Sequence, residues 1–342
     1  MIGKFVGAAL AAAMLVSAGP GAAQQTARTK VVLGVSGRPD QADLELALKR
    51  GYFEQQGLDI ETVQARSGQE MIPSLASNQL QVASGSPNAG LFNALNRGID
   101  IRLVADFAHV GPKGDRTVAV VAREDLMNEG VIKSPADLKG RSVARGPGSG
   151  QITDLLFSTL FRTYGFTMAD VTMRSLTFAD SLAALTSKTL DSAFLVEPLV
   201  TMAERRHIAR VLVDGGSVIP GSELSVVYYS PEFARNKDAA GKFMVAYLQG
   251  VRDYYDAFFL GKNKDATIKV LTSSLPVRDP TIWESSRQYT DLNGRINVAD
   301  VKRQAAFYKS EGLISGPVPD IGKDIDPSFA EAAVKILGER KR

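Results

Sequence analysis

Cysteine is absent from all 342 residues, histidine occurs only twice and tryptophan once. Without cysteine there is no disulfide, no thiolate metal site, no cysteine nucleophile and no lipid-bearing cysteine of the bacterial lipoprotein kind. The two histidines, His109 and His207, are far apart and form no pair at metal-ligand spacing. No serine lies in a G-x-S-x-G elbow, so that hydrolase nucleophile is missing too. Charge of one sign is also scarce: 40 basic against 37 acidic residues leave a formal net charge of +3. That balance is too even for the concentrated basic face that nucleic acid demands. Beyond the first two dozen residues no apolar run is long enough to span a bilayer. No metal, cofactor or catalytic residue is therefore expected, and the reading turns from catalysis to binding.

The chain does contain a leader-like start, MIGKFVGAALAAAMLVSAGPGAAQQ. Lys4 supplies a short positive region, residues 5–18 are almost all apolar or small, and Gly21-Ala22-Ala23 offers the small residues a signal peptidase reads. The apolar run falls short of the roughly 20 residues of a spanning helix. The expectation is a removed signal peptide over residues 1–23 and a soluble, monomeric protein confined to the periplasm. What remains is long enough for two ordinary domains.

Strand-like and helix-like segments then alternate. VVLGVS (31–36), LDIETVQA, QVASG and IRLVADFA read as strands, with helical spacing between them; Leu44, Leu48 and Phe53 can share one helix face. A second series starts near TVAVVARED (117–125) and continues through RSVAR, DVTMRSL, DSAFLV and HIARVLVD. Such repetition predicts largely parallel sheets covered by helices. From about residue 231 the text is mostly helical, and Phe243, Tyr247, Val251, Tyr254 and Phe258 recur at core-facing spacing. Two glycine- and proline-bearing stretches, 106–118 and 214–226, can carry the chain between units. The domain reading is one lobe from 30–110 plus 225–342 and a second from 111–224, joined by two crossings and hinged around a central cleft.

Residues 145–157, RGPGSGQITDLLF, look like a phosphate loop. With Gly150 as the second glycine of a P-loop, Arg145 falls where the first glycine belongs. Gln151 then takes the lysine position and Ile152 the hydroxyl position, so the match fails. What survives is a strand end, a tight turn and a helix start whose free amides favour an anion, with Ser149 as cap and Arg145, Gly150 and Gln151 beside it. An ordinary capped helix is the competing reading of this segment alone. GSPNAGLFNAL (85–95) repeats the arrangement, with Ser84, Ser86 as cap, and the free amides near Asn88. Gly37, Arg38 and Asp40 end the first strand. In open α/β sheets ligands settle outside the carboxyl ends of strands, which makes these loops a two-jawed pocket. His109 lies in the first crossover, where it either reaches the crevice or faces solvent. His207 reads as a helix-end cation.

The segments ALKRGYFEQQGLDIETV, LASNQLQVASGS, ADLKGRSVARGPGSG and LDSAFLVEPLV, in that order, resemble solute-binding proteins of bacterial ABC importers. The nitrate/sulfonate/taurine type, with related thiamine-pyrimidine and aromatic-acid binders, is the likeness, over about residues 30–260. It implies a type II periplasmic binding fold and ligand contacts from Gly37–Asp40, Ser84–Asn88, Ser149–Gln151 and Glu197. It also implies a permease and an ATPase as partners, and a small organic anion, sulfonate or carboxylate, as solute. Two alternatives share the fold: a thiamine-pyrimidine-synthase type of enzyme, expected to carry a cysteine-rich segment, and a protein that presents ligand to a membrane sensor.

Overall fold

The computed structural model describes residues 1–3, 28–35, 41–65, 68–285 and 287–342. The expected leader, and the predicted site residues Gly37, Arg38 and Asp40, lie outside the described residues.

Two five-stranded sheets form the frame. The first takes β1 (Thr29–Val35), β2 (Leu58–Gln64), β3 (Val82–Gly85) and β4 (Arg102–His109), and a tenth strand supplied much later, β10 (Glu223–Tyr229). Its order is β2-β1-β3-β10-β4. The second comprises β5 (Val118–Arg123), β6 (Ser142–Arg145), β7 (Thr172–Ser175), β8 (Ser192–Val196) and β9 (Ala209–Asp214), in the order β7-β6-β8-β5-β9. The central strands are short apolar runs because helices cover both of their faces: every residue of β3 and β8 is buried.

The sheets are mixed where a largely parallel arrangement was expected. β10 runs antiparallel to β3 and β4, and β5 runs antiparallel to β8 and β9. The reversed strand in each sheet is the one that has just arrived from the other sheet. Residues 110–117 and 215–222 make the two crossings. They are tied to each other where they leave the first sheet, by Val110 N–H to Ser222 O (2.9 Å) and Gly221 N–H to Val110 O (3.0 Å).

The long helix Lys237–Phe258 buries the aromatic stripe of the sequence. Tyr247 stacks on Phe107 of β4 at 5.9 Å, and Phe243 meets Phe53 at 4.7 Å. The next helices, Lys264–Ser274 and Pro280–Ser285, do not stay with the first sheet alone. Ile268, Leu271 and Trp283 share a buried cluster with Leu199, Val200 and Met202 beside the second sheet. The C-terminal segment then straps the edge of β4, through Asp106 N–H to Gly294 O and His109 N–H to Tyr289 O.

Candidate cleft between the two sheets

The loop after β3 is set by backbone packing. Gly68, at the start of helix Gly68–Ala76, lies so near Gly85 that a Cβ on Gly68 would stand 2.5 Å from the Gly85 Cα. Tyr228 Oη of β10 donates to the carbonyls of Gly85 (2.9 Å) and Ser86 (2.5 Å), which fixes the turn from the sheet side. The helix that follows, Ala89–Asn96, is capped by Asn88, whose Oδ1 accepts from Leu91 N–H at 2.9 Å. Ser86 was expected as the cap and stands two residues too early. The Asn88 amide also donates to Ser86 O, so Asn88 is committed to holding its own loop. Ser84 is buried, its Oγ 3.4 Å from Gln41 Nε2. The Ser86 hydroxyl is buried with no hydrogen-bond partner among the described residues.

The facing loop follows β6. Gly148 and Gly150 have φ of +90° and +73°, a conformation glycine adopts without strain. Helix Ile152–Thr163 begins after Gln151, which makes no side-chain cap, while Ser149, the expected cap, is exposed. The work falls to Asp154 in the first turn. Its Oδ2 accepts from Gly150 N–H at 2.6 Å, and its Oδ1 pairs with Arg145 Nη1 at 2.7 Å. Arg145 Nε reaches Ser175 Oγ at 3.3 Å. The guanidinium expected to meet a solute is thus engaged by a buried carboxylate of its own loop. Gln151 Nε2 donates to Pro147 O, closing the turn. Thr153, which sequence reasoning passed over, is buried, and its Oγ1 has no partner among the described residues.

The two loops touch. Ala89 N–H, one of the amides expected to be free, donates to Gly150 O at 2.9 Å. A Cβ on Gly150 would approach Ala89 Cβ to 2.8 Å. Beside this contact a cavity of about 580 Å3 lies between the sheets, lined by Gln69 and Glu70 on one side and by Pro147, Ser175, Thr177 and Asp180 on the other.

Glu197 follows β8 directly, and its bond to Pro198 is cis. It is buried, its carboxylate accepting from Thr201 N–H (3.0 Å) and Thr201 Oγ1 (2.9 Å). Burial pushes its pKa up to about 7, against the lowering pull of the Thr201 bonds and Arg116. It borders a second cavity, of about 540 Å3, beside the first crossover, with Lys113, Arg116, Glu204 and Tyr289 among its walls. His109 is not in the crossover loop: it closes β4, and its Nδ1 lies 2.7 Å from Asp106 Oδ2. His207 is largely exposed beside Glu124. Among the described residues no group of three or more acidic or histidine side chains could hold a metal ion, and no helix is long and apolar enough to cross a membrane.

No curated protein matches the chain in sequence. Solved structures do match its shape. The alkanesulfonate-binding protein of Xanthomonas axonopodis pv. citri, bound to MOPS, is 17% identical with a TM-score of 0.66, over 88% of this chain and 98% of that one. The periplasmic aliphatic sulphonate-binding protein of Escherichia coli is 19% identical with a TM-score of 0.67, over 87% and 92%. The periplasmic nitrate-binding protein of Synechocystis PCC 6803 is 13% identical with a TM-score of 0.72, over 91% and 89%. The fold is that of the periplasmic binding proteins, and the β2-β1-β3-β10-β4 order with its crossing strands is how this chain builds it. The family model described as NMT1/THI5 like matches residues 38–257, well over half of the chain, and the protein belongs to that family.

Proposed function

We propose that the protein is an extracytoplasmic solute receptor that delivers a small organic anion, a sulfonate or carboxylate, to an ABC permease and its ATPase. The observation that carries this reading is a pair of buried, unpartnered hydroxyls: Ser86 Oγ on the first sheet's loop and Thr153 Oγ1 on the second's. They flank the Ala89–Gly150 contact in sequence, Ser86 two residues before the cap of one helix and Thr153 in the first turn of the other. A buried hydroxyl without a partner costs about 1–3 kcal/mol, which a ligand oxygen recovers by accepting from it. The two helix N-termini add positive dipole ends to the same place. Arg145 contributes through Asp154, by holding the loop, and the charge it would have brought to a solute is already balanced.

The sulfonate- and nitrate-binding functions of the structural neighbours agree with an anionic solute. The enzyme alternative gains no support from the three neighbours named above, which are binding proteins. The test is a thermal-shift screen of alkanesulfonates, nitrate, aromatic carboxylates and pyrimidines. A bound solute should stabilise the fold by about 2.7 kcal/mol at a hundredfold excess over its Kd. One anion class raising Tm, confirmed by calorimetry, supports the reading; a cationic solute as best ligand would overturn the anion assignment.

A further inference from the structure

The base of the two crossings holds an arrangement of acids that solute binding does not call for. Asp106 of β4 is fully buried. Its Oδ2 accepts from Asp291 N–H at 2.6 Å and pairs with His109 Nδ1, while its Oδ1 is buried with no hydrogen-bond partner among the described residues. On the neighbouring strand Glu223 is 1% exposed; its Oε1 accepts from Asn297 N–H, and its Oε2 is likewise orphaned. Both orphaned oxygens stand at the same end of the β4–β10 ladder, where Glu223 lies opposite His109 and the His109 ring reaches Asp106. Two acceptors so placed can bond only if a proton lies between them, since like charges side by side in a dry interior cannot both ionise.

We propose that Asp106 and Glu223 share one proton that clamps β4 to β10 at the base of both crossings, and that its loss at alkaline pH loosens the crossings. The position supports this. Glu223 opens β10 directly after the second crossing, and its register partner is His109, the last residue of β4 before the first. Two of the three register shifts of the β4–β10 ladder fall at this end, between Glu223 and Ser225 and between Ser225 and Val226, the third lying between Val227 and Tyr228; the pairing is weakened here. The Val110–Ser222 and Gly221–Val110 bonds lie immediately beyond.

Acids outnumber the cations around the pair, with Arg342 acting in the opposite sense on His109. On β4, His109 faces Asp106; helix Val298–Ser310 brings Asp300, which accepts from Glu223 N–H at 2.8 Å and is itself paired with Arg303. The strap brings Tyr289 and Asp291, the C-terminus Arg342, helix Lys237–Phe258 the Tyr247 hydroxyl on Asp106 O, and helix Ala42–Lys49 the buried Asp43. Burial first, then the charge of Asp106, raises the Glu223 pKa well above the ordinary value. For His109, burial works against the charged ring, but Asp106 outweighs it and the pKa is raised. Both groups hold protons in the folded chain that the unfolded chain releases sooner, so both favour the fold at acid pH and withdraw that support as pH rises.

The test uses the full chain without solute, so its outcome is independent of which solute binds. Glu223→Gln replaces the shared proton with a permanent amide donor of the same shape. Hydrogen exchange at Val110 and Gly221 should be severalfold faster in the wild type than in Glu223→Gln at alkaline pH, and equal in the two at mildly acid pH. Infrared spectroscopy of the wild type near neutrality should show a protonated carboxyl band that Glu223→Gln lacks. Should the variant fold poorly, Glu197→Gln, which removes the other carboxyl that holds a proton near neutrality, must still show the band. Identical exchange in wild type and Glu223→Gln across the range, or a band that disappears in Glu197→Gln, would overturn the proposal.

Discussion

Arg145 shows how a single partner changes what a residue does. Its side chain is 20% exposed and that of Asp154 only 3%, so the carboxylate is the one that cannot be left alone. Removing the arginine strands a buried charge that also holds the Gly150 amide. Breaking a buried pair costs about 3–5 kcal/mol; partial exposure of the guanidinium brings the expected loss for Arg145→Ala to about 1–3 kcal/mol in urea denaturation. Adding Asp154→Asn should return part of that, because the amide oxygen still accepts from Gly150. Equal stability of wild type and Arg145→Ala would mean that the pair is ornamental. Glu197 makes the second residue-scale prediction. Its folded pKa of about 7 lies above the ordinary 4.5. The folded state therefore keeps a proton that the unfolded state gives up, and stability falls as pH rises from about 4.5 to 7. The full span is worth about 3 kcal/mol at 1.36 kcal/mol per pKa unit. Glu197→Gln should flatten that part of the Tm-versus-pH curve and be the more stable protein at pH 8; parallel curves would refute the assignment.

At the scale of elements, two glycines in helices should respond to the same substitution with opposite signs. A Cβ on Gly68 meets backbone at 2.5 Å (Gly85 Cα) and 2.9 Å (Ser84 O), so helix Gly68–Ala76 would have to leave β3. Gly68→Ala is expected to cost about 1–3 kcal/mol by overpacking. Gly241, inside helix Lys237–Phe258, has open space where a methyl would go, with nothing within 4 Å, and Gly241→Ala should stabilise by about 0.5–1 kcal/mol. Chemical denaturation of both variants checks the pair. Neither glycine stands out in the text, and this marks what sequence reading can reach. The strands at VVLGVS and DSAFLV and the stripe from Phe243 to Phe258 were legible because burial imposes a period on residue type. Strand direction was not, because an apolar run reads alike in a parallel or antiparallel ladder; only the crossings could have signalled the reversal of β5 and β10. The caps were misplaced by two residues, Asn88 for Ser86 and Gln151 for Ser149, since several cap-type residues stand in a row at each site. Asp154 was visible nine residues after Arg145, but that the two meet depends on the turn through Gly148 and Gly150, which only the fold reveals.

For the whole molecule, two sheets joined by two crossings can close on a solute only if their loops can part and meet again. We propose that residues 30–110 with 225–342, and 111–224, move as these two bodies, with the packing of Trp283 near Met202 limiting the travel on one side. The Ala89–Gly150 bond is then a latch of the closed form. A methyl at Gly150 collides with Ala89 at 2.8 Å, and its φ of +73° adds local strain. Gly148 separates the two effects: its φ is +90°, but a methyl there meets only flexible side-chain ends, Gln151 Nε2 at 3.3 Å and Gln69 Oε1 at 3.7 Å. Both substitutions should cost about 1 kcal/mol of stability for the left-handed backbone. Only Gly150→Ala should enlarge the radius of gyration measured by small-angle scattering and weaken solute binding, since a ligand that selects the closed form loses the fraction of molecules held open. If the two variants scatter alike and bind alike, the contact between these loops is incidental to closure, and the latch must be sought in the side-chain contacts around the cavity between the sheets.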